Sequence, residues 1–143
     1  MSLNFSLPPL GIINTRYRKM DLVLPAYGHY QHFRITSPAP WVLQVLIDRP
    51  DAYNTFTGSM WRDFGRIMRQ ASVDDECRVV VLSATDCAGF SAGIDLKEAS
   101  QEDAFRGVTG EDPARRAAKI RRYIEEFQQQ ISAAETCEKR TCP

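Results

Sequence analysis

From His32 to Pro50 apolar residues recur at every second position, and after that the period changes. Phe33 and Ile35 alternate with polar neighbours, and Pro38 and Pro40 punctuate the run. Trp41, Leu43, Val45 and Ile47 then alternate with Val42, Gln44, Leu46 and Asp48. A two-residue period turns one face of an extended chain toward a core, so this stretch predicts two strands. The second has one apolar face and one nearly apolar face, which suits a well-covered strand. "RPDAYNT" follows as a connecting turn, with Asp51 and Asn54 as turn formers. Across Thr57–Ala71 the spacing lengthens to three and four, through Met60, Phe64, Ile67, Met68 and Ala71. That is the buried stripe of a helix, and Thr55 or Thr57 can cap its first amides.

"CRVVVLSA", Cys77–Ala84, is a continuous apolar run rich in β-branched residues, as found inside a sheet. Strand, helix and strand in this order predict a right-handed crossover and a parallel pairing. "DLKEA" predicts a short helix and "SQEDAFRGVTGE" a polar loop. Asp112 followed by Pro113 marks the start of the longest helix, as N-cap and first turn. Ile120, Ile124, Phe127, Ile131 and Ala134 form its apolar seam. Arg121–Glu125 and Arg122–Glu126 stand one turn apart on the outer face, worth a few tenths of a kcal/mol at most. The last residues, "CEKRTCP", resemble neither a strand nor a cap. Residues 1–28 carry no periodic pattern and read as a poorly ordered extension.

Composition narrows the class. A chain of 143 residues suits one domain, and 43% hydrophobic with 25% charged residues is ordinary for a globular protein. A net charge of zero gives no electrostatic reason to expect nucleic acid or an anionic membrane as partner. No apolar run approaches the ~18 residues of a membrane span. The first twenty residues hold Arg16, Arg18 and Lys19 and no acid, as in a mitochondrial transit peptide, but Pro8 and Pro9 oppose a long amphipathic helix. The cysteines, Cys77, Cys87, Cys137 and Cys142, match no zinc spacing and are expected as reduced thiols. His29 and His32 precede the first clear strand and are expected at the surface.

"GFSAGIDL", Gly89–Leu96, leaves the buried run through residues with little side-chain bulk, so a ligand could approach the backbone closely. If a short helix begins at Asp95, the Ile94 N–H points outward unpaired and can polarise a carbonyl oxygen. One such donor is half an oxyanion hole. Spacing alone favours a tight turn with Ile94 in the core. Asp86 and Asp95 fit turn or cap roles, and Tyr53 and Trp61 fit packing roles.

In context these residues resemble a family. "RVVVLSATDCAGFSAGIDLKEA" and, upstream, "WVLQVLIDRPDAYNTF" are similar to two elements of the crotonase superfamily, the enoyl-CoA hydratase/isomerase family, across about residues 33–139. Ile94 after the glycine, and the helix "DPARRAAKIRRYIEEFQQQISAAETCEK", resemble its Δ3,5-Δ2,4-dienoyl-CoA isomerase branch. The resemblance implies an α/β fold, a crotonase-like spiral of ββα units, here incomplete at the C-terminus. It implies a fatty acyl-CoA thioester as substrate and a homo-oligomer, with no metal or redox cofactor. By the same resemblance the Ile94 N–H is the first oxyanion donor. Ser91, Ala92, Gly93, Asp95, Leu96 and Lys97 line the coenzyme A and acyl site, and Asp51, Ala52, Tyr53 and Asn54 border the same coenzyme. An enoyl-CoA hydratase is the alternative, and a non-catalytic CoA-binding or subunit-associating fragment the alternative of another class. Members work in mitochondria and peroxisomes, and the terminal "TCP" is no peroxisomal address.

The family pattern continues after the long helix with Lys-Pro, a buried strand, a glycine-rich turn carrying the second donor, and then the catalytic carboxylates. Here "CEK" is followed by "RTCP", so 140–143 are expected as an aberrant tail on a truncated domain. Missing one oxyanion donor costs ~10²–10³ in rate. Missing the positioned acid and base costs roughly another 10²–10⁴. This chain is therefore expected to be inactive alone.

Overall fold

The computed structural model describes residues 24–86, 89–106 and 111–142. Strand β1, Phe33–Ala39, pairs antiparallel with β2, Val42–Ile47. Its register shifts between Thr36 and Ala39, around Pro38, which has no N–H to give the ladder. Helix α1, Gly58–Val73, carries the chain across to β3, Val79–Ala84, which lies parallel to β2 from Val42↔Val79 to Ile47↔Ala84. The one-turn helix α2, Leu96–Ala99, and the long helix α3, Pro113–Ile131, follow. The chain then returns to the sheet as β4, Arg140–Cys142, parallel to β3. The sheet order is β1-β2-β3-β4.

The helix starts follow from their caps. Thr57 Oγ1 accepts from the Met60 N–H at 3.3 Å, and Asp112 Oδ2 from the Arg115 N–H at 3.2 Å with Pro113 behind it. The stripe of α1 lies on the sheet: Met60, Phe64, Ile67, Met68 and Ala71 join Phe33, Ile35, Leu43, Val45, Ile47 and Val80 in one core. Fully burying an Ile or Phe contributes about 1.5–3 kcal/mol. Trp61 leaves this stripe on another side of α1 and is buried against α3, edge-on to Tyr123 and Phe127 at 6.0 and 5.9 Å. Gly65 allows this crossing, because a Cβ there would run into the Gln130 side chain and lie 3.1 Å from Gln130 Cα.

Five expectations are corrected. Trp41 is not on the buried face of β2: it sits in the hairpin turn at φ 68°, exposed, with the Arg78 guanidinium 4.5 Å from its ring centre. The unpatterned extension ends earlier than residue 28. Tyr27 is buried in the core and its hydroxyl donates to Asp74 Oδ2 at 2.7 Å, while the Leu24 N–H donates to Ile35 O. Burial, then the Asp74 bond, pushes the Tyr27 hydroxyl far above the ordinary tyrosine range. Residues 1–23 lie outside the described residues.

Residues 140–142, which resembled neither a strand nor a cap, also belong to the sheet. Arg140, Thr141 and Cys142 pair with Val79, Val80 and Val81, because a strand ladder needs only backbone groups and β3 offers an edge. The seam of α3 divides: Phe127 meets Trp61, whereas Ile124 and Ile131 are exposed. Finally, Arg121 pairs with Glu125 at 3.8 Å, but Glu126 turns to Arg62 on α1 at 3.0 Å instead of to Arg122.

Candidate functional site

Beyond the carboxyl ends of parallel β2 and β3 two loops cross, and there open α/β sheets place their ligands. The first runs from Arg49 through the 3₁₀ turn Pro50–Ala52 to Phe56. Its centre is Asn54, buried at 0% exposure and left-handed at φ 53°. Asn54 Oδ1 accepts the Arg49 N–H at 2.9 Å, and Nδ2 donates to Thr85 O at 3.1 Å and Phe90 O at 3.2 Å. One amide thus ties the end of β2, the end of β3 and the second loop together. An apolar side chain there would leave buried backbone groups without partners.

The second loop is fastened along its length. Ser91 Oγ donates to Asn54 O at 2.7 Å, and the Ala92 N–H donates to Tyr53 O at 3.0 Å. The Phe56 N–H donates to Gly93 O at 2.7 Å and the Asp95 N–H to Phe56 O at 2.9 Å, a parallel bridge with Ile94 in the middle. A residue flanked by two such bonds turns its own N–H and C=O to the opposite side. Among the described residues nothing accepts the Ile94 N–H, and Ile94 is 41% exposed, so it is no core residue. A strand-like bridge, rather than a helix dipole, aims this amide outward. Gly93 at φ +92° makes the turn into this bridge, a conformation that strains other residues.

Asp95 ends the loop and begins α2. Its Oδ1 accepts the N–H groups of Lys97 and Glu98, both at 3.1 Å, and Oδ2 pairs with Arg49 Nη2 at 2.8 Å. Arg49 Nη1 donates to Thr55 O at 2.8 Å and Thr55 Oγ1 at 2.9 Å. The Arg49 hydrogen bond, then the Glu98 amide, holds the Asp95 carboxyl below the usual carboxylate range. Asp95 is therefore an ionised cap. Glu98 is a cap as well, its Oε1 accepting the Gly58 N–H of α1 at 3.1 Å.

On either side of α2 the surface changes character. One side is an apolar groove of about 370 Å³ lined by Ile94, Leu96, Ala99, Ser100, Phe105 and Tyr123. Phe105 stands edge-on to Tyr123 at 5.0 Å, and burial pushes the Tyr123 hydroxyl up, keeping it protonated. The other is a polar recess of about 270 Å³ lined by Arg49, Asp95, Lys97, Glu98 and Gln101. A hollow of about 140 Å³ lies between Tyr53, Gly89, Ser91 and Ala92. Tyr53, at 61% exposure, is free of the core, unlike Trp61.

The structure thus gathers Tyr53, Asn54, Ser91, Ala92, Gly93, Ile94, Asp95, Leu96 and Lys97 into one region. Asp51 and Ala52 form the neighbouring 3₁₀ turn, and no hydrogen bond among the described residues joins either to 91–97. The sequence reading lacked Arg49, Phe56, Phe105 and Tyr123. Phe105 had a signal, as the lone aromatic between Phe90 and Tyr123. Phe56 had none, because it acts through its backbone. Cys87 lies outside the described residues.

The family described as enoyl-CoA hydratase/isomerase matches residues 40–131, which include both loops. The chain belongs to this family. Among relatives, the mitochondrial Delta(3,5)-Delta(2,4)-dienoyl-CoA isomerase of Mus musculus is 32% identical over 111 residues, 78% of this chain and 33% of that protein. The mitochondrial enzyme of Homo sapiens is 32% identical over 77% of this chain and 33% of its own length. The peroxisomal enzyme of Arabidopsis thaliana is 28% identical over 68% and 34%. The chain therefore spans about a third of these relatives. Among solved structures, an enoyl-CoA hydratase/carnithine racemase of Magnetospirillum magneticum superposes with a TM-score of 0.63 at 18% identity, over 79% of this chain and 38% of that one. The enoyl-CoA hydratase of Mycobacterium smegmatis gives 0.62 at 18%, over 80% and 40%. These likenesses show the crotonase-like fold over the part of the domain present here. Among the described residues no helix is long and apolar enough to cross a membrane.

Proposed function

We propose that these residues form the first half of the active site of a Δ3,5-Δ2,4-dienoyl-CoA isomerase, with the Ile94 N–H as one of two oxyanion donors. The observation that carries the reading is the unpaired Ile94 amide between an apolar groove and a charged recess. A fatty acyl-CoA has the same three parts: an apolar chain, a thioester carbonyl and a polyanionic end. The carbonyl oxygen accepts from Ile94. The acyl chain lies along Leu96, Phe105 and Tyr123. Lys97, with the turn 51–54, borders the coenzyme. As a proton leaves the acyl chain, negative charge grows on the thioester oxygen, and a fixed N–H stabilises that charge more than it stabilises the neutral carbonyl. Returning the proton further along the conjugated chain shifts the double bonds.

In this reading coenzyme A belongs to the substrate, and the proton transfer needs neither metal nor redox cofactor. The second donor and the proton-moving carboxylates come from outside these 143 residues. Asp95 and Glu98, the carboxylates beside the donor, are committed to helix caps. The relatives named above support the isomerase over the hydratase, and they support a mitochondrial or peroxisomal setting as part of the proposal.

The test is titration of the chain with a dienoyl-CoA, followed by calorimetry and by the ¹⁵N–¹H shift of Ile94. Saturable binding with a downfield shift at Ile94 is expected, with turnover below normal by several orders of magnitude. No binding by a folded chain sinks the site, and normal turnover sinks the division of the site. Binding with Ile94 unmoved reduces the chain to a CoA-binding fragment.

A further inference from the structure

At the other end of the sheet, away from the Ile94 loop, two cysteines approach adjacent strands together. Cys77 precedes β3 by two residues and Cys137 precedes β4 by three. The parallel register pairs Val79 with Arg140, so the lead-ins to the two strands enter the sheet side by side. Neighbouring strands lie about 4.8 Å apart. Disulfides span Cα separations of about 4.4–6.8 Å.

Three other observations bring the pair together. Cys77 is buried in the core cluster and Cys137 packs against that cluster. The Glu138 N–H donates to Ser72 Oγ at 2.9 Å, which holds the lead-in of β4 on the last turn of α1. Burial, foremost, makes the Cys77 thiol a weaker acid, and its ionisation also responds to Cys137 and Lys139, so both lie within electrostatic reach.

We propose that Cys77 and Cys137 are a thiol pair that a low-molecular-weight disulfide converts into an intramolecular disulfide. Cys137, half-buried, is the point of attack: its thiolate displaces one half of the small disulfide, releasing one small thiol and leaving a mixed disulfide. The Cys77 thiolate then attacks Cys137 Sγ and expels the second small thiol. Two protein thiols lose two electrons and two protons, and one small disulfide becomes two thiols. The bond would clasp the entry to β4 onto the entry to β3. It would anchor the end of α3, whose Tyr123 lines the groove beside Ile94, without touching the groove itself.

The four cysteines lie in four different tryptic peptides, so the bond can be assigned directly. The folded chain is treated with oxidised glutathione, then alkylated, digested and mapped by mass spectrometry. The expected product joins Gln70–Arg78 to Tyr123–Lys139 and is 2 Da lighter than the two reduced peptides together. The oxidised chain should also melt several degrees higher than the reduced one, and Cys137→Ser should remove that difference. Glutathione retained on Cys137 while Cys77 stays reduced overturns the proposal, as does a bond from either cysteine to Cys87 or Cys142. Those outcomes are read on the unaltered chain, so they stand even where Cys137→Ser fails to fold.

Discussion

Replacing Asn54 with Ala removes a side chain that touches no solvent and closes three backbone groups from three segments. The Arg49 N–H, Thr85 O and Phe90 O lose their partners, at 2.9, 3.1 and 3.2 Å in the parent chain. Each buried group left unmade costs about 1–3 kcal/mol. Alanine at φ 53° adds about 1 kcal/mol, because its Cβ opposes the left-handed region more than asparagine's polar side chain does. Allowing for a water molecule entering the space, the loss is about 3–5 kcal/mol. For a chain of this length that lowers the melting temperature by roughly 10–20 °C. Urea unfolding followed by far-UV circular dichroism measures the loss, and amide exchange at Ala92 and Asp95 reports whether the second loop is released with it. Asn54→Asp sharpens the test. A carboxylate would face two carbonyl oxygens, so its folded pKa lies above its unfolded value near 3.9. The folded state then binds more protons, and this variant loses stability as pH rises from about 4 through that raised value. A loss below about 1 kcal/mol for Asn54→Ala, with Ala92 and Asp95 still protected, would refute the view that this amide assembles the site.

Asp95 has the opposite sign. Its folded pKa is lowered, foremost by Arg49, so its contribution is present above about pH 4 and is lost as pH falls through the folded value. A carboxyl ¹³C titration should find its midpoint below an ordinary aspartate, and Arg49→Met should move that midpoint up. Trp61→Ala, which empties the contact of α1 with Tyr123 and Phe127, should cost about 3–5 kcal/mol in urea unfolding and quench the near-ultraviolet aromatic signal. Thr57→Ala removes the cap on the Met60 amide and should cost about 1 kcal/mol by the same measurement, with α1 otherwise intact.

Local rules made most of the elements legible. The two-residue period around Leu43–Ile47, the stripe from Met60 to Ala71 and the Asp112–Pro113 start each appear in the structure within a few residues of where the pattern puts them. Each is stabilised by contacts whose spacing is written along the chain. Trp41 escaped the pattern because its place depends on turn geometry, and β4 escaped because strand pairing asks almost nothing of the side chains it uses. The "SAGIDL" phrase pointed to the Ile94 N–H only through the resemblance, whereas spacing alone favoured a turn over a buried Ile94. What decided between these was tertiary. Phe56, nearly forty positions earlier, takes the backbone groups on both sides of Ile94 and leaves its N–H facing outward. The groove was equally invisible, because Phe105 and Tyr123 meet Ile94 and Leu96 only once α3 has docked on Trp61. The sequence by itself determined which segments are strand, helix and cap, since those depend on neighbours one to four residues away. The direction of a single amide, and the surface it opens onto, depend on which distant segment satisfies the groups beside it, and only the folded chain decides that.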